Sequence, residues 1–220
     1  MRGELRVVDD VAAAFCDEVA AAWRSRTADR FAIALSGGET ARRCYERLAE
    51  RAGDPVEWSQ VVVLWGDDRC VPLDHEDSNH RLAQEALLDA VGPVAAEHPM
   101  DCGDPDAYDR LVRGLGAIDV VHLGLGPDAH TASLFPSSPA LDAPPGRLVV
   151  PNEDPLGNNP HPRLTLTFEG IRRGRHVVVT VEGEAKRDAL DRVRRGDDVP
   201  AARADAPGVV WLADAAAAGS

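Results

Sequence analysis

Lysine is almost missing from this chain: Lys and Arg together number 24, and Lys186 is the only lysine. A surface drift toward arginine accounts for the bias. The position that keeps lysine then marks a place where a compact ammonium serves and a planar guanidinium does not. Aromatic residues make up only 5% of the chain, so the core must be built from Val, Leu and Ala. No apolar run approaches a membrane span. The Ala-rich segment from Val11 to Trp23 is interrupted by Asp17 and Glu18, so neither a transmembrane helix nor a signal-peptide core is expected, and the chain reads as cytoplasmic. Cys16, Cys44, Cys70 and Cys102 contain no CxxC pair, which disfavours a zinc site; without an export signal they are expected to be free thiols. Basic runs are also scarce. At a net charge of −13, the only clusters are Arg172 to Arg175 and Arg192 to Arg195, which read as solvated helix ends, so no nucleic-acid surface is expected.

What remains is an ordinary globular composition, 44% hydrophobic over 220 residues, with no break that separates two domains; residues 1–220 read as one. Leu5 to Val8 is a first candidate strand, with Asp9 or Asp10 capping a helix whose face is Val11, Phe15, Val19 and Trp23. Phe31 to Leu35 is a second strand, ending at Ser36-Gly37-Gly38-Glu39-Thr40 before a helical stretch from Arg42 to Arg51. Val61 to Trp65 is a third, running into Gly66-Asp67-Asp68-Arg69, and Ser78 or Asn79 can cap the helix that carries Leu82, Ala86 and Leu87. Asp106 to Leu115 reads as a helix and Ile118 to Leu123 as a strand that delivers Gly124 to His130. Residues 137–162 are rich in Pro, Gly and Asn and read as a long active-site loop. Arg163 to Phe168 alternates as a strand, His176 to Val181 is another, and Gly183 and Lys186 precede a helix to about Arg195. Val209 to Leu212 closes the set, and the Ala-rich tail is expected to fray.

Four apolar strands, ending near Leu35, Trp65, Leu123 and Val181, are each followed by a polar, glycine-containing motif and then a helical segment. If these strands are parallel, their motifs meet along one sheet edge. The pattern predicts an α/β fold with a mostly parallel, Rossmann-like sheet flanked by helices. The shared edge would gather Ser36, Thr40, Asp67, Asp68, Arg69, Asp128, His130 and Lys186. Glycine-loop amides, an arginine and a lysine suit a phosphate, whereas histidine and carboxylates suit proton transfer. A small phosphorylated metabolite is the ligand this combination predicts.

Five ordered motifs, SGGET at Ser36, GDDRCVPLDHEDSN at Gly66, GLGPDAHTASLFP at Gly124, RLTLT at Arg163 and EGEAK at Glu182, resemble the 6-phosphogluconolactonase family, within the group that includes glucosamine-6-phosphate deaminases. The resemblance implies the fold shared with these deaminases and ribose-5-phosphate isomerases. It also implies hydrolysis of 6-phospho-D-glucono-1,5-lactone in the pentose phosphate pathway without cofactor or metal. On this reading His130 is the general base, supported by Asp67 and Asp128. Arg69 serves the oxyanion or the phosphate, and Ser36, Gly37, Gly38, Thr40, Lys186 and Arg163 hold the phosphate. The partner is a small phosphorylated sugar lactone, with no membrane or nucleic acid, and the protein is a monomer or small homo-oligomer.

The chain departs from the family pattern at three positions. Asp68 stands where glutamate is usual, Ala41 where proline is usual, and Ala129 where glycine is usual. If residue 129 takes a positive φ, alanine strains the loop by roughly 1 kcal/mol. Deaminases of the related branch carry an Asn-Glu pair after the histidine; Ser133, Leu134 and Phe135 occupy that stretch here. A deaminase-type isomerase and a non-catalytic phosphosugar-sensing domain are the alternatives. Regulators of the second kind carry an appended DNA-binding segment, which is not expected in this acidic chain.

Overall fold

The apolar runs are too short for helices and too apolar for half-exposed strands, so they bury on both faces of a parallel sheet. The computed structural model describes residues 1–219. Its strands in chain order are β1 (Glu4–Val7), β2 (Phe31–Leu35), β3 (Val61–Trp65), β4 (Asp67–Arg69), β5 (Ala96–His98), β6 (Ile118–Gly124), β7 (Val149–Asn152), β8 (Arg163–Leu166), β9 (Gly174–Val181) and β10 (Gly208–Ala213). Seven form a parallel sheet in the order β1-β10-β9-β6-β2-β3-β5. Every residue of β2 and β3 is buried. The helices Val11–Ser25 and Glu39–Glu50 pack against each other, and their buried residues Phe15, Val19, Trp23, Cys44 and Tyr45 join the core. Asp10 caps the first helix, accepting from the Ala13 amide at 2.9 Å.

From β2 the chain winds outward through β3 to β5, and from β6 it winds the other way through β9 to β10. The reversal lies between β2 and β6, and in open α/β sheets the crevice beyond the carboxyl ends at such a point is where ligands bind. A second, three-stranded antiparallel sheet in the order β4-β8-β7 stands at this same end, because β4 continues β3 past Gly66. The Leu166 amide donates to the Gly66 carbonyl at 2.8 Å and ties the two sheets together.

Several local expectations need correction. The Asp67–Arg69 tripeptide is a strand, imposed by pairing with β8 and not by its own polar composition. Segment 137–162 is not all loop: it contains a helical turn at Pro139–Asp142 and the strand β7, held at its start by Asp109, which accepts from the Leu148 and Val149 amides. The alternating run at Arg163 stops at Leu166, because Thr167 turns to cap Phe168–Ile171, accepting from the Gly170 amide at 3.0 Å. The Ala-rich tail forms a helical turn at Ala215–Ala218, capped by Asp214 and burying Ala217 and Ala218.

The four cysteines are not all free. Cys70 and Cys102 form a disulfide with Cα atoms 5.6 Å apart. β4 leads on from β3, and β3 is flanked by β5, so the segments leaving β4 and β5 emerge side by side despite a separation of 32 residues. Cys16 and Cys44 are buried thiols, and burial raises the pKa of both. Among the described residues, no helix is long and apolar enough to cross a membrane.

Candidate active site

β9, β6, β2 and β3 are consecutive in the sheet, so the four polar motifs that follow them lie side by side. They surround a cleft of about 260 Å³. Its floor begins at Ser36-Gly37-Gly38. Gly38 sits at φ 95° and starts the helix Glu39–Glu50 with no side-chain cap, leaving first-turn amides for a ligand. A Cβ on Gly37 would lie 1.8 Å from Asn79 Oδ1, so only glycine lets the loop approach the helix that begins at Asn79.

His130 rises from the turn after β6. Its ring lies over Gly126, where a Cβ would come within 2.2 Å of it, and meets Phe135 edge-on at a centroid distance of 4.9 Å. Nδ1 is 2.5 Å from Asp128 Oδ1. Burial is the largest single influence on Asp128 and pushes its pKa up, but the hydrogen bond and charge of His130, with hydrogen bonds from the backbone, leave the carboxyl below its ordinary value. The ionised carboxylate therefore holds the Nδ1 proton, and Nε2 is left as the basic nitrogen. Ala129 has φ 68° and is fully buried, so the position does take the left-handed conformation that glycine occupies freely.

Successive side chains on a strand point to opposite faces, which separates the two adjacent aspartates. Asp67 lines the cleft and accepts from Ser133 Oγ at 2.6 Å. Asp68 turns away and caps the next helix: its oxygens accept from the Asn79 amide at 2.7 Å, the His80 amide at 3.0 Å and Ser78 Oγ at 3.2 Å. Burial nonetheless raises its pKa. Asp68, grouped with the site from sequence, is a structural cap.

Arg69 returns to the cleft side. Its Nη1 donates to the Asp77 carbonyl at 2.6 Å and Asn79 Oδ1 at 2.8 Å, while Nε is buried without a partner. Arg163 pairs with it directly across β4 and β8, is 5% exposed, and donates through Nη2 to the Pro160 carbonyl at 2.9 Å. Burial, then the charge of Arg69, lowers its pKa. Lys186 enters from the turn beyond β9; burial lowers its pKa, opposed by the charge of Asp128. Thr40 is not part of the cleft lining. It lies in an adjoining depression of about 240 Å³ that Lys186 also borders, and its Oγ1 accepts from Arg43 Nη2 at 3.4 Å.

Asn79, Ser133 and Asn159 line the cleft although sequence reasoning gave them no site role. Asn79 was legible only as a possible cap, and Ser133 only as the place of a missing Asn-Glu pair. Asn159 is carried in by Asp154, whose Oδ2 accepts from its amide at 3.0 Å and its Nδ2 at 2.8 Å. It is the single residue of segment 137–162 in the cleft wall. Among the described residues no group of three or more His, Cys, Asp or Glu is placed to hold a metal.

The sequence model of the glucosamine-6-phosphate isomerases/6-phosphogluconolactonase family matches residues 4–211. This chain belongs to that family. It is 42% identical to a 6-phosphogluconolactonase of Synechocystis sp. over 176 residues, covering 73% of this chain and 70% of the relative. A 6-phosphogluconolactonase of Mycobacterium leprae is 36% identical over 217 residues, covering 86% of this chain and 85% of the relative. Among solved structures, the Thermotoga maritima 6-phosphogluconolactonase superposes with a TM-score of 0.84 at 26% identity, over 96% of this chain and 99% of the other. A monomeric glucosamine-6-phosphate deaminase superposes with a TM-score of 0.82 at 16% identity, over 98% of this chain and 99% of the other. Both branches of the family thus share this fold, and the fold alone does not choose between their reactions.

Proposed function

We propose that this chain hydrolyses 6-phospho-D-glucono-1,5-lactone to 6-phospho-D-gluconate, as a cytoplasmic enzyme. The observation that carries the reading is His130, fixed through Nδ1 by Asp128 beside a loop of free amides and three cations, Arg69, Arg163 and Lys186. A lactone is already an activated ester, so the site must hold the phosphate, activate one water, stabilise the tetrahedral oxyanion and return a proton to the ring oxygen. His130 Nε2 takes the proton from water, and the imidazolium is stabilised by Asp128 until it delivers that proton to the leaving oxygen. Such a base contributes about two to four orders of magnitude in rate. Asp67, held by Ser133, orients the water or the sugar. The amides of Gly37 and Gly38 with Lys186 take the phosphate, and Arg69 and Arg163 face the other anionic group, the oxyanion and then the product carboxylate. Ser133, Leu134 and Phe135 stand where the deaminase branch carries its Asn-Glu pair, which disfavours ring-opening deamination.

The test is hydrolysis of freshly generated 6-phosphogluconolactone, with the spontaneous rate subtracted, beside glucosamine-6-phosphate deamination on the same protein. Lactone turnover alone, lost in His130→Ala with binding largely kept, is the expected result. Deamination, or lactone hydrolysis that survives His130→Ala, would overturn it.

A further inference from the structure

A polar chain runs through the core directly beneath the cleft, and the reaction as described does not use it. The Ser36 amide donates to the Tyr45 hydroxyl at 2.6 Å; that hydroxyl lies 3.1 Å from the Ser36 carbonyl and 3.0 Å from His122 Nδ1. His122 Nε2 is in turn 2.9 Å from Thr180 Oγ1. His122 is fully buried in the central strand β6, its ring centroid 4.2 Å from that of Phe15, and burial lowers its pKa to about 3. It is therefore a neutral hydrogen-bonding strut. An apolar side chain would fill this space without the cost of desolvating an imidazole, a phenol and a hydroxyl.

The two ends of the chain identify what the strut holds. Ser36 begins the loop whose amides meet the cleft, and Thr180 is on β9, which leads through Glu182 and Gly183 to Lys186. The Gly183 amide is itself fixed by Asp214 at 3.0 Å. We propose that His122 is a positioning residue for phosphate binding: through Tyr45 and Thr180 it sets the separation between the Ser36–Gly38 loop and the turn that bears Lys186. The inference rests on the phosphate assignment made above. Neither His122 nor Tyr45 touches substrate; both act through the backbone they hold.

The experiment compares two substrates, 6-phosphogluconolactone and unphosphorylated glucono-1,5-lactone, on His122→Leu, Tyr45→Phe and Thr180→Val, with 6-phosphogluconate binding measured by calorimetry. Losing one buried hydrogen bond in the strut should raise KM for the phosphorylated lactone roughly tenfold and weaken 6-phosphogluconate binding to match. Turnover at saturation and kcat/KM for the unphosphorylated lactone should stay within about twofold of wild type. His122→Asn, whose amide can still reach Tyr45, should recover part of the affinity. Equal losses on both lactones would reduce His122 to a core residue and overturn the proposal, as would unchanged affinity in all the variants. If His122→Leu does not fold, Thr180→Val, which keeps side-chain shape, decides by the same criteria. A wild-type protein that hydrolyses neither lactone defeats the functional reading, while calorimetry still judges the strut by whether the variants bind 6-phosphogluconate less tightly.

Discussion

Arg69 and Arg163 stand directly opposite each other in the antiparallel pair β4–β8, and neither forms an ion pair with a carboxylate among the described residues. Like charges in that position destabilise a sheet. Arg163 is buried and Arg69 half-buried, and two such guanidiniums side by side suit the anionic group of the substrate proposed above.

Replacing one of them should therefore separate binding from stability. Arg163→Met should weaken 6-phosphogluconate binding by roughly tenfold, the effect of losing one charged hydrogen-bond donor. The melting temperature should hold or rise, because the repulsion and the desolvated charge go with it. Calorimetry and thermal unfolding of the same variant check both halves; a large fall in melting temperature would show that Arg163 is structural.

Lys186 supplies a pH signature. Its pKa is lowered by burial, so phosphate affinity should fall off on the alkaline side before an ordinary lysine, near 10.4, would lose its proton. Lys186→Ala should chiefly raise KM and abolish this limb. Titrating 6-phosphogluconate affinity between neutral pH and pH 10 would show it, and an alkaline limb unchanged in the variant would assign it to another group.

Ala129 is held at φ 68°, where a Cβ costs roughly 1 kcal/mol relative to glycine. Ala129→Gly removes that strain and also gives up a buried methyl and some rigidity of the unfolded chain. The sum is expected to be neutral or slightly stabilising, with activity kept. A clear fall in both melting temperature and turnover would show that the methyl group packs the His130 turn.

Acid should act through His122. Its folded pKa, about 3, lies below its unfolded value of 6.5, so below pH 6.5 the unfolded chain binds a proton that the native state refuses. The native state's advantage is complete above 6.5 and is lost as pH falls toward 3, by about 1.4 kcal/mol per pH unit at most. Chemical denaturation at pH 7, 6, 5 and 4 should show a shallower slope for His122→Asn than for wild type.

The disulfide closes a long loop beside the site. Cys70 follows Arg69, and its partner Cys102 is 32 residues away, for which chain entropy gives about 3 to 4 kcal/mol of stabilisation. Cys102→Ser should lower the melting temperature clearly. It should raise KM more than it lowers kcat, because the loop it tethers carries Asp77, which holds Arg69.

The legibility of the site followed the kind of force that made each part. β2, β3 and β6 could be read to within a residue, since an unbroken apolar run between glycines and polar turns has few other places to go. The helix starts were legible to within a residue, Asp9 or Asp10 resolving to Asp10 and Ser78 or Asn79 to Ser78, as a side-chain oxygen beside free amides is a local matter. By contrast, nothing local marks Asp67–Arg69 as a strand, because its geometry comes from β8, which lies nearly a hundred residues further along the chain. The separation of Asp67 from Asp68 follows from that strand, and so was hidden with it.

The sequence by itself determined the parallel core, the glycine turns at its carboxyl edge and the chemical inventory of the site, because these depend on hydrophobic patterning and on residue types within a few positions of each other. The family, too, was legible in five motifs. Tertiary structure alone decided which members of that inventory meet. It brought Asn79, Ser133 and Asn159 into the cleft, set Thr40 beside it, turned Asp68 into a cap, joined Cys70 to Cys102 and ran Tyr45, His122 and Thr180 beneath the Ser36–Gly38 loop. The physical reason is common to all of these. Each depends on which strands become neighbours and on the two-residue alternation of their side chains, and both are fixed only when the whole sheet has assembled.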